Sequence, residues 1–167
     1  MIKSFKKFFV YHPLSLEKTG LIVKLLPSLI VEKQDVMKWI RKINAKDIRI
    51  EFSQPLLFDY FILHEIGYKK ELDLLLKKTN KCFFDNNEFT KMKKCIFDSI
   101  PKSEENIEEL KGNFSKGIYL YYLFCNEYSR GNTTAGNPYA DKAIELIPAK
   151  IMIYIVNRKK SEYEKEN

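Results

Sequence analysis

Apolar residues recur at intervals of three and four along most of this 167-residue chain, which is the spacing of one face of an α-helix. The pattern is clearest over residues 33–44, where Val36, Ile40 and Ile43 form an apolar stripe opposite Lys38 and Arg41. Further helical patterns, bounded by capping or helix-breaking residues, cover 15–26, 56–63, 69–78, 87–100, 103–111 and 139–147. The chain is therefore predicted to be mostly helical.

Four other segments have the β-branched and aromatic composition, or the alternation, that is typical of strands: residues 5–11, 47–52, 118–125 and 150–156. Together with the helices they predict an α+β fold, a helix-dominated single domain with a small sheet. A chain of this length normally forms one domain with a substantial core. We place that domain at residues 1–160 and expect the charged residues 161–167 to be a frayed tail.

The chain has a formal net charge of +7, and its positive charge is concentrated near the N-terminus. The first 47 residues hold ten Lys or Arg against four Asp or Glu, whereas the remainder holds nineteen against eighteen. Clustered charge of this kind attracts phosphates or acidic surfaces. Because 25 of the basic residues are Lys, which lacks the bidentate fork of Arg, nonspecific attraction is favoured over reading of base edges. A solvated face whose lysines reflect codon usage is the alternative.

The predicted binding surface combines basic residues of two segments, which would form one patch if the segments pack together: Lys3, Lys6, Lys7, Lys38, Arg41, Lys42 and Lys46. We expect a noncatalytic interaction or assembly protein whose anionic partner is nucleic acid, within a ribonucleoprotein or a similar complex. An inhibitor or immunity protein that binds an acidic protein is an alternative. A membrane surface ranks third, because the N-terminal segment alternates poorly as an amphipathic helix.

A second candidate site is the loop that follows the apolar run 118–125, with the residues Arg130, Gly131, Asn132, Thr133, Thr134, Ala135 and Gly136. Small residues before a helix let backbone N–H groups approach a phosphate. The predicted order of strand, loop, helix and strand resembles the pyrophosphate-binding turn of the GNAT acyltransferase superfamily. The resemblance implies a ligand, acyl-coenzyme A, and an alternative function as a small acyltransferase. An exposed, turn-rich connector is the other interpretation of these residues.

The sequence also resembles two families of helical repeats. Gly131, Ala143 and Pro148 have the spacing seen in tetratricopeptide repeats, and residues 44–47 with 74–76 are similar to degenerate ankyrin repeats. Repeat folds need several stacked copies, and the sequence offers no third copy.

Three kinds of single residue are candidates for chemistry. Asp59 lies in an apolar segment and would be either a general base with a raised pKa or a hydrogen-bonded core residue. His12 and His64 are far apart, which favours core or surface positions over a metal or catalytic site. The aromatic residues between 119 and 124 would stack nucleic-acid bases or, as we favour, pack in the core. We predict no catalytic residue, metal ligand or cofactor.

Cysteine usage and hydropathy indicate the compartment. Cys82, Cys95 and Cys125 are odd in number and form no CxxC pair, so neither a disulfide framework nor a zinc site is predicted. The N-terminus lacks the apolar core of a secretory signal, and no run approaches the length of a membrane span. We therefore expect a reducing compartment, cytoplasmic or organellar, and not secretion.

Overall fold

A computed structural model describes residues 33–42, 46, 48, 50–83, 85–98 and 107–166. The helices in these ranges are, in chain order, α1 (Lys33–Lys42), α2 (Ser53–Glu65), α3 (Lys69–Thr79), α4 (Asn87–Asp98), α5 (Asn113–Ser129), α6 (Thr133–Leu146) and α7 (Lys150–Glu166). A 3-10 turn, Ile50–Phe52, precedes α2. Residues 107–111, the described part of the segment 103–111 that the sequence predicts as helix, contain a turn instead.

The predicted α+β class is wrong, because the described part of the chain contains helices and no strand. Residues 118–125 lie inside α5, residues 150–156 begin α7, and residues 50–52 of the predicted strand 47–52 form the 3-10 turn. The predicted strand 5–11 lies outside the described residues. The β-branched and aromatic composition of these segments does not decide their structure, since tertiary packing overrides strand propensity.

Helix α5 misled the prediction because it is buried on almost every side. Every residue from Gly117 to Phe124 is buried, so the segment shows no polar face and reads as a continuous apolar run. Such a run fits a buried strand as well as a buried helix. In α7 the helical spacing is present: Ile151, Met152, Ile155 and Val156 are buried, and only the two residues between these pairs are exposed.

The core is centred on α2 and α5. Helix α2 packs against α3, α4 and α5, whereas α5 also packs against α6 and α7, and α1 lies against α3. Phe61 of α2 and Tyr121 of α5 meet edge to face with ring centroids 5.0 Å apart. Aromatic pairs of this geometry add to the free energy of burial. None of the helices in the described ranges combines the length and the hydropathy that a membrane span requires.

Helices α5 and α6 form a tight hairpin around two glycines. A Cβ atom on Gly136 would lie 2.5 Å from the ring of Tyr128, and one on Gly117 would lie 2.5 Å from Ile147. Ala140 and Ala143 are fully buried in the same hairpin. Small side chains therefore permit the close approach of the two helices.

Candidate functional site

A groove between α1 and the start of α3 collects part of the predicted basic surface. It has a volume of about 580 Å³ and is lined by Met37, Lys38, Arg41, Gly67, Lys69, Lys70 and Glu71. We call it the basic groove. The turn that leads into α3 depends on Gly67, whose φ of 78° lies in the left-handed region that favours glycine. This turn places Lys69 and Lys70 in the first turn of α3.

The packing of α1 on α3 concentrates positive charge. The two helices carry eight Lys or Arg against three Asp or Glu. Their buried apolar residues belong to the same core, and Nζ of Lys78 donates a 2.6 Å hydrogen bond to the carbonyl oxygen of Arg41. Of the acidic residues, Glu71 is buried and Asp73 is exposed on α3. The groove thus combines cations that are 31 residues apart in the chain, and the one acidic residue in its described lining, Glu71, is buried.

The predicted basic residues fall in different places. Lys38 and Arg41 line the basic groove and are exposed, and Lys46 is exposed beyond α1. Lys42 is the last residue of α1, but its side chain, like Lys3, Lys6 and Lys7, lies outside what is described. Sequence reasoning missed Lys69 and Lys70. Their position on the polar side of a predicted helix was visible, but nothing local to the chain pairs that helix with α1.

The candidate phosphate loop forms the connection between α5 and α6. Arg130 pairs with Glu127 at 3.8 Å, and Nδ2 of Asn132 donates to Oε2 of Glu127 at 2.8 Å. Gly131 has a φ of 76°, as the turn requires, and residues 133–136 form the first turn of α6. The loop does precede a helix. Because a helix rather than a strand precedes the loop, and residues 150–156 are also helical, the predicted order of strand, loop, helix and strand is wrong.

A second pocket was not expected from the sequence. It lies where the end of α2 meets α5 and α7, and its volume is about 400 Å³. The pocket, called here the Glu65 pocket, is lined by His64, Glu65, Tyr121, Tyr122, Cys125, Asn126, Ser129, Arg158, Lys159 and Tyr163. The helical spacing of the lining residues that belong to α5 puts them on one face of that helix. In the sequence, however, such a stripe does not distinguish a pocket from a packed helix interface.

The carboxylate of Glu65 is the acceptor at the centre of this pocket. Tyr121 donates its hydroxyl to Oε2 at 2.6 Å, Tyr122 donates to Oε1 at 3.2 Å, and Nδ1 of His64 lies 3.3 Å from Oε1. Burial by itself would raise the pKa of Glu65, but the hydrogen bonds and the attraction of His64 outweigh it and lower that pKa. Glu65 therefore holds a negative charge although its side chain is only 11 % exposed.

Two cations of α7 form another wall of the pocket. Nη2 of Arg158 donates to the carbonyl oxygen of Glu65 at 2.5 Å, and its Nε lies 3.3 Å from Oε1 of Glu162. Nζ of Lys159 donates to Oε2 of Glu162 at 3.1 Å and lies 5.3 Å from the centre of the Tyr163 ring. One carboxylate is shared by two cations, so this wall keeps a net positive charge.

The thiol of Cys125 is unsuited to nucleophilic chemistry. Burial, together with the negative charge of Glu65, raises its pKa to about 12. The thiolate is the reactive form of cysteine, and it is scarce at neutral pH when the pKa is this high. No disulfide joins any of the three cysteines, all of which are described. The Glu65 pocket is therefore better suited to binding than to covalent catalysis.

The structure also describes most of the single residues that the sequence singled out. The aromatic residues at 119, 121, 122 and 124 are buried in the core, as we favoured. Burial raises the pKa of Asp59 well above its ordinary value, and neither carboxylate oxygen has a hydrogen-bond partner among the residues described. The expectation of a hydrogen-bonded Asp59 thus finds no support. His64 lines the Glu65 pocket, whereas His12 lies outside the described ranges.

In the described residues, no group of three or more His, Cys, Asp or Glu side chains is arranged to hold a metal ion. Comparison of the chain with protein-family models, with curated proteins and with solved structures finds no match. The resemblances to acyltransferases and helical repeats thus stay predictions from the sequence.

Proposed function

We propose that the protein is a noncatalytic nucleic-acid-binding protein whose basic groove contacts the phosphate backbone. One observation carries this proposal: α1 packs on α3, so that Lys38 and Arg41 line the same groove as Lys69 and Lys70. Phosphate contacts by Lys and Arg supply most of the affinity in nonspecific nucleic-acid binding. Four cations on one groove are enough to give an affinity that falls measurably with salt.

The geometry of α3 adds to the attraction for phosphates. Lys69 and Lys70 begin the helix, where backbone N–H groups are not used by the helix itself and the helix dipole is positive. Both side chains are exposed, and so are Lys38 and Arg41. Since three of these four cations are Lys, the groove is suited to the backbone and offers little for reading base edges. A sequence-tolerant interaction is therefore proposed.

Fluorescence anisotropy with a labelled single-stranded oligonucleotide, titrated between about 50 and about 200 mM salt, tests the proposal. With four phosphate contacts, the logarithm of the binding constant should fall against the logarithm of salt with a slope of about −3. The double variant Lys69→Glu/Lys70→Glu should reduce that slope to about half. Absence of binding at the lowest salt would overturn the proposal.

A matched control separates the groove from the overall charge. The double variant Lys94→Glu/Lys142→Glu also lowers the net charge from +7 to +3, but it changes exposed residues of α4 and α6. It should leave the salt slope near that of the parent. Equal losses in the two double variants would mean that net charge alone binds the oligonucleotide, and the groove would have no special role.

Poly-L-glutamate distinguishes an acidic protein from nucleic acid as the partner. It presents a line of carboxylates without phosphates or bases. If it competes with the oligonucleotide at the same concentration of charge, the groove recognises an acidic protein surface equally well, and nucleic acid is not the preferred partner. If phosphates are recognised, poly-L-glutamate should compete weakly, with an affinity at least about ten-fold lower than that of the oligonucleotide.

A further inference from the structure

The Glu65 pocket has the charge arrangement of a site for a dipolar small molecule. The ionised carboxylate of Glu65, from α2, and the cations of Arg158 and Lys159, from α7, line the same pocket, and we call these two parts of its lining the negative wall and the positive wall. From these positions we infer that the pocket binds a zwitterion of the α-amino-acid type, with its ammonium group at Glu65 and its carboxylate at the two cations of α7. This site is separate from the basic groove and does not depend on its function.

The negative wall has capacity left for an ammonium donor. A carboxylate offers about four lone-pair positions, and Glu65 receives contacts from Tyr121, Tyr122 and His64. These three contacts also hold the carboxylate in place. An ammonium group that replaces solvent at the remaining position would gain a charge-assisted hydrogen bond.

The positive wall likewise has hydrogen-bond donors that a ligand can use. Arg158 uses one of its five guanidinium N–H groups on the carbonyl oxygen of Glu65, and its Nε is buried near Glu162, so the remaining terminal N–H groups are the donors left for a ligand. The side chains of Arg158 and Lys159 are 32 % and 30 % exposed, so both reach the opening of the pocket. A ligand carboxylate would bind there by accepting hydrogen bonds from the guanidinium of Arg158 and the ammonium of Lys159.

The remaining lining favours an apolar or aromatic side chain on the ligand. Tyr122 and Tyr163 present ring surface, and Cys125 contributes a half-buried, protonated thiol. A volume of about 400 Å³ lies at the lower end of the range for small-molecule sites. It accommodates a free amino acid with a large side chain, but not a folded segment of protein.

Calorimetric titration with matched compounds tests the inference. The zwitterions are L-phenylalanine and L-leucine; the compounds without the ammonium group are 3-phenylpropanoate and 4-methylpentanoate, and those without the carboxylate are 2-phenylethylamine and 3-methylbutylamine. At least one zwitterion should bind about ten-fold more tightly than both of its matched compounds. No binding of either amino acid up to about 10 mM overturns the inference, as does equal affinity for a compound that lacks one of the charges.

Substitutions then locate the binding. Lys159→Gln should weaken binding of the amino acid about ten-fold, whereas Lys160→Gln, one residue further along α7 and outside the pocket lining, should leave it unchanged. Glu65→Gln should remove the advantage of the amino acid over the carboxylate compound. Should that variant fail to fold, the Lys159 and Lys160 pair still decides the matter, because equal effects of the two substitutions would place the ligand elsewhere.

Discussion

The hydroxyl group of Tyr121 donates a 2.6 Å hydrogen bond to Oε2 of Glu65, which lies 56 residues earlier in the chain. This bond joins α5 to the end of α2 where both helices are buried. It also belongs to the group of contacts that lower the pKa of Glu65. A hydrogen bond to a charged acceptor at a buried helix interface contributes more to stability than an exposed one.

Replacing Tyr121 by Phe is therefore expected to lower the free energy of unfolding by about 1 to 3 kcal/mol near neutral pH. Tyr122→Phe should cost less, because its bond to Glu65 is longer, at 3.2 Å. Glu65 contributes stability above its ordinary pKa of 4.5, and the contribution is lost as pH falls through its lower folded pKa. The difference between Tyr121→Phe and the parent, measured by urea denaturation, should shrink below pH 4.5; a constant difference would contradict this account.

Asp59→Asn should stabilise the protein increasingly as pH rises. Burial raises the pKa of Asp59 above its ordinary value of 3.8, so the folded state keeps the proton while the unfolded state loses it. The free energy of unfolding of the parent then falls by up to about 1.4 kcal/mol per pH unit above pH 3.8, until the carboxyl group of the folded state itself titrates. Asparagine has no such dependence. The exposed Asp73→Asn is the matched control, and parallel pH profiles of the two variants would show that Asp59 is not held protonated.

Gly136→Ala is expected to destabilise the α5–α6 hairpin, although alanine is normally the better helix former. The added Cβ would lie 2.5 Å from the ring of Tyr128, which a 2.6 Å hydrogen bond to Asn137 holds in place. Overpacking of this kind costs about 1 to 3 kcal/mol. Gly117→Ala should cost less, since it meets the flexible end of Ile147. Thermal denaturation of both variants tests which substitution costs more stability. A Gly136→Ala variant that is more stable than the parent would refute the close packing.

Asp73→Asn should strengthen binding of the oligonucleotide to the basic groove. Asp73 is exposed on α3, four residues after Lys69, and its charge opposes that of a bound phosphate. Removing it should raise the affinity about two- to five-fold at low salt. Asp141→Asn on α6 makes the same change in net charge and should have a smaller effect. Anisotropy titrations of both variants decide this, and equal gains would argue against binding at α3.

The success of the sequence prediction depended on how a helix is buried. Helices α1, α3 and α4 bury one face, and their bounds agree with the predicted segments to within two residues. Helix α5 buries nearly every face, so its apolar run carried no periodicity and was predicted as a strand. In α7 the strand-forming composition of residues 150–156 masked a helical spacing that was present.

The candidate sites, too, were predicted from the sequence only where a local pattern marks them. Lys38 and Arg41 were predicted from local charge, whereas Lys69 and Lys70 became part of one groove only through the contact of α1 with α3. Nothing close to Glu65 in the chain indicates the partners of its carboxylate on α5. The Glu65 pocket therefore had no signature in the sequence beyond an acidic residue at the end of an apolar helix.

The sequence by itself determined the basic character of the protein, the helices with one polar face and the turns at Gly67 and Gly131, because each depends on residues within a few positions of one another. Tertiary structure decided that residues 118–125 and 150–156 are helical, that two basic helices share a groove, and that Glu65 is surrounded by tyrosines and cations. These features depend on contacts between residues that are distant in the chain. Burial and packing select such contacts, and local propensity does not encode them.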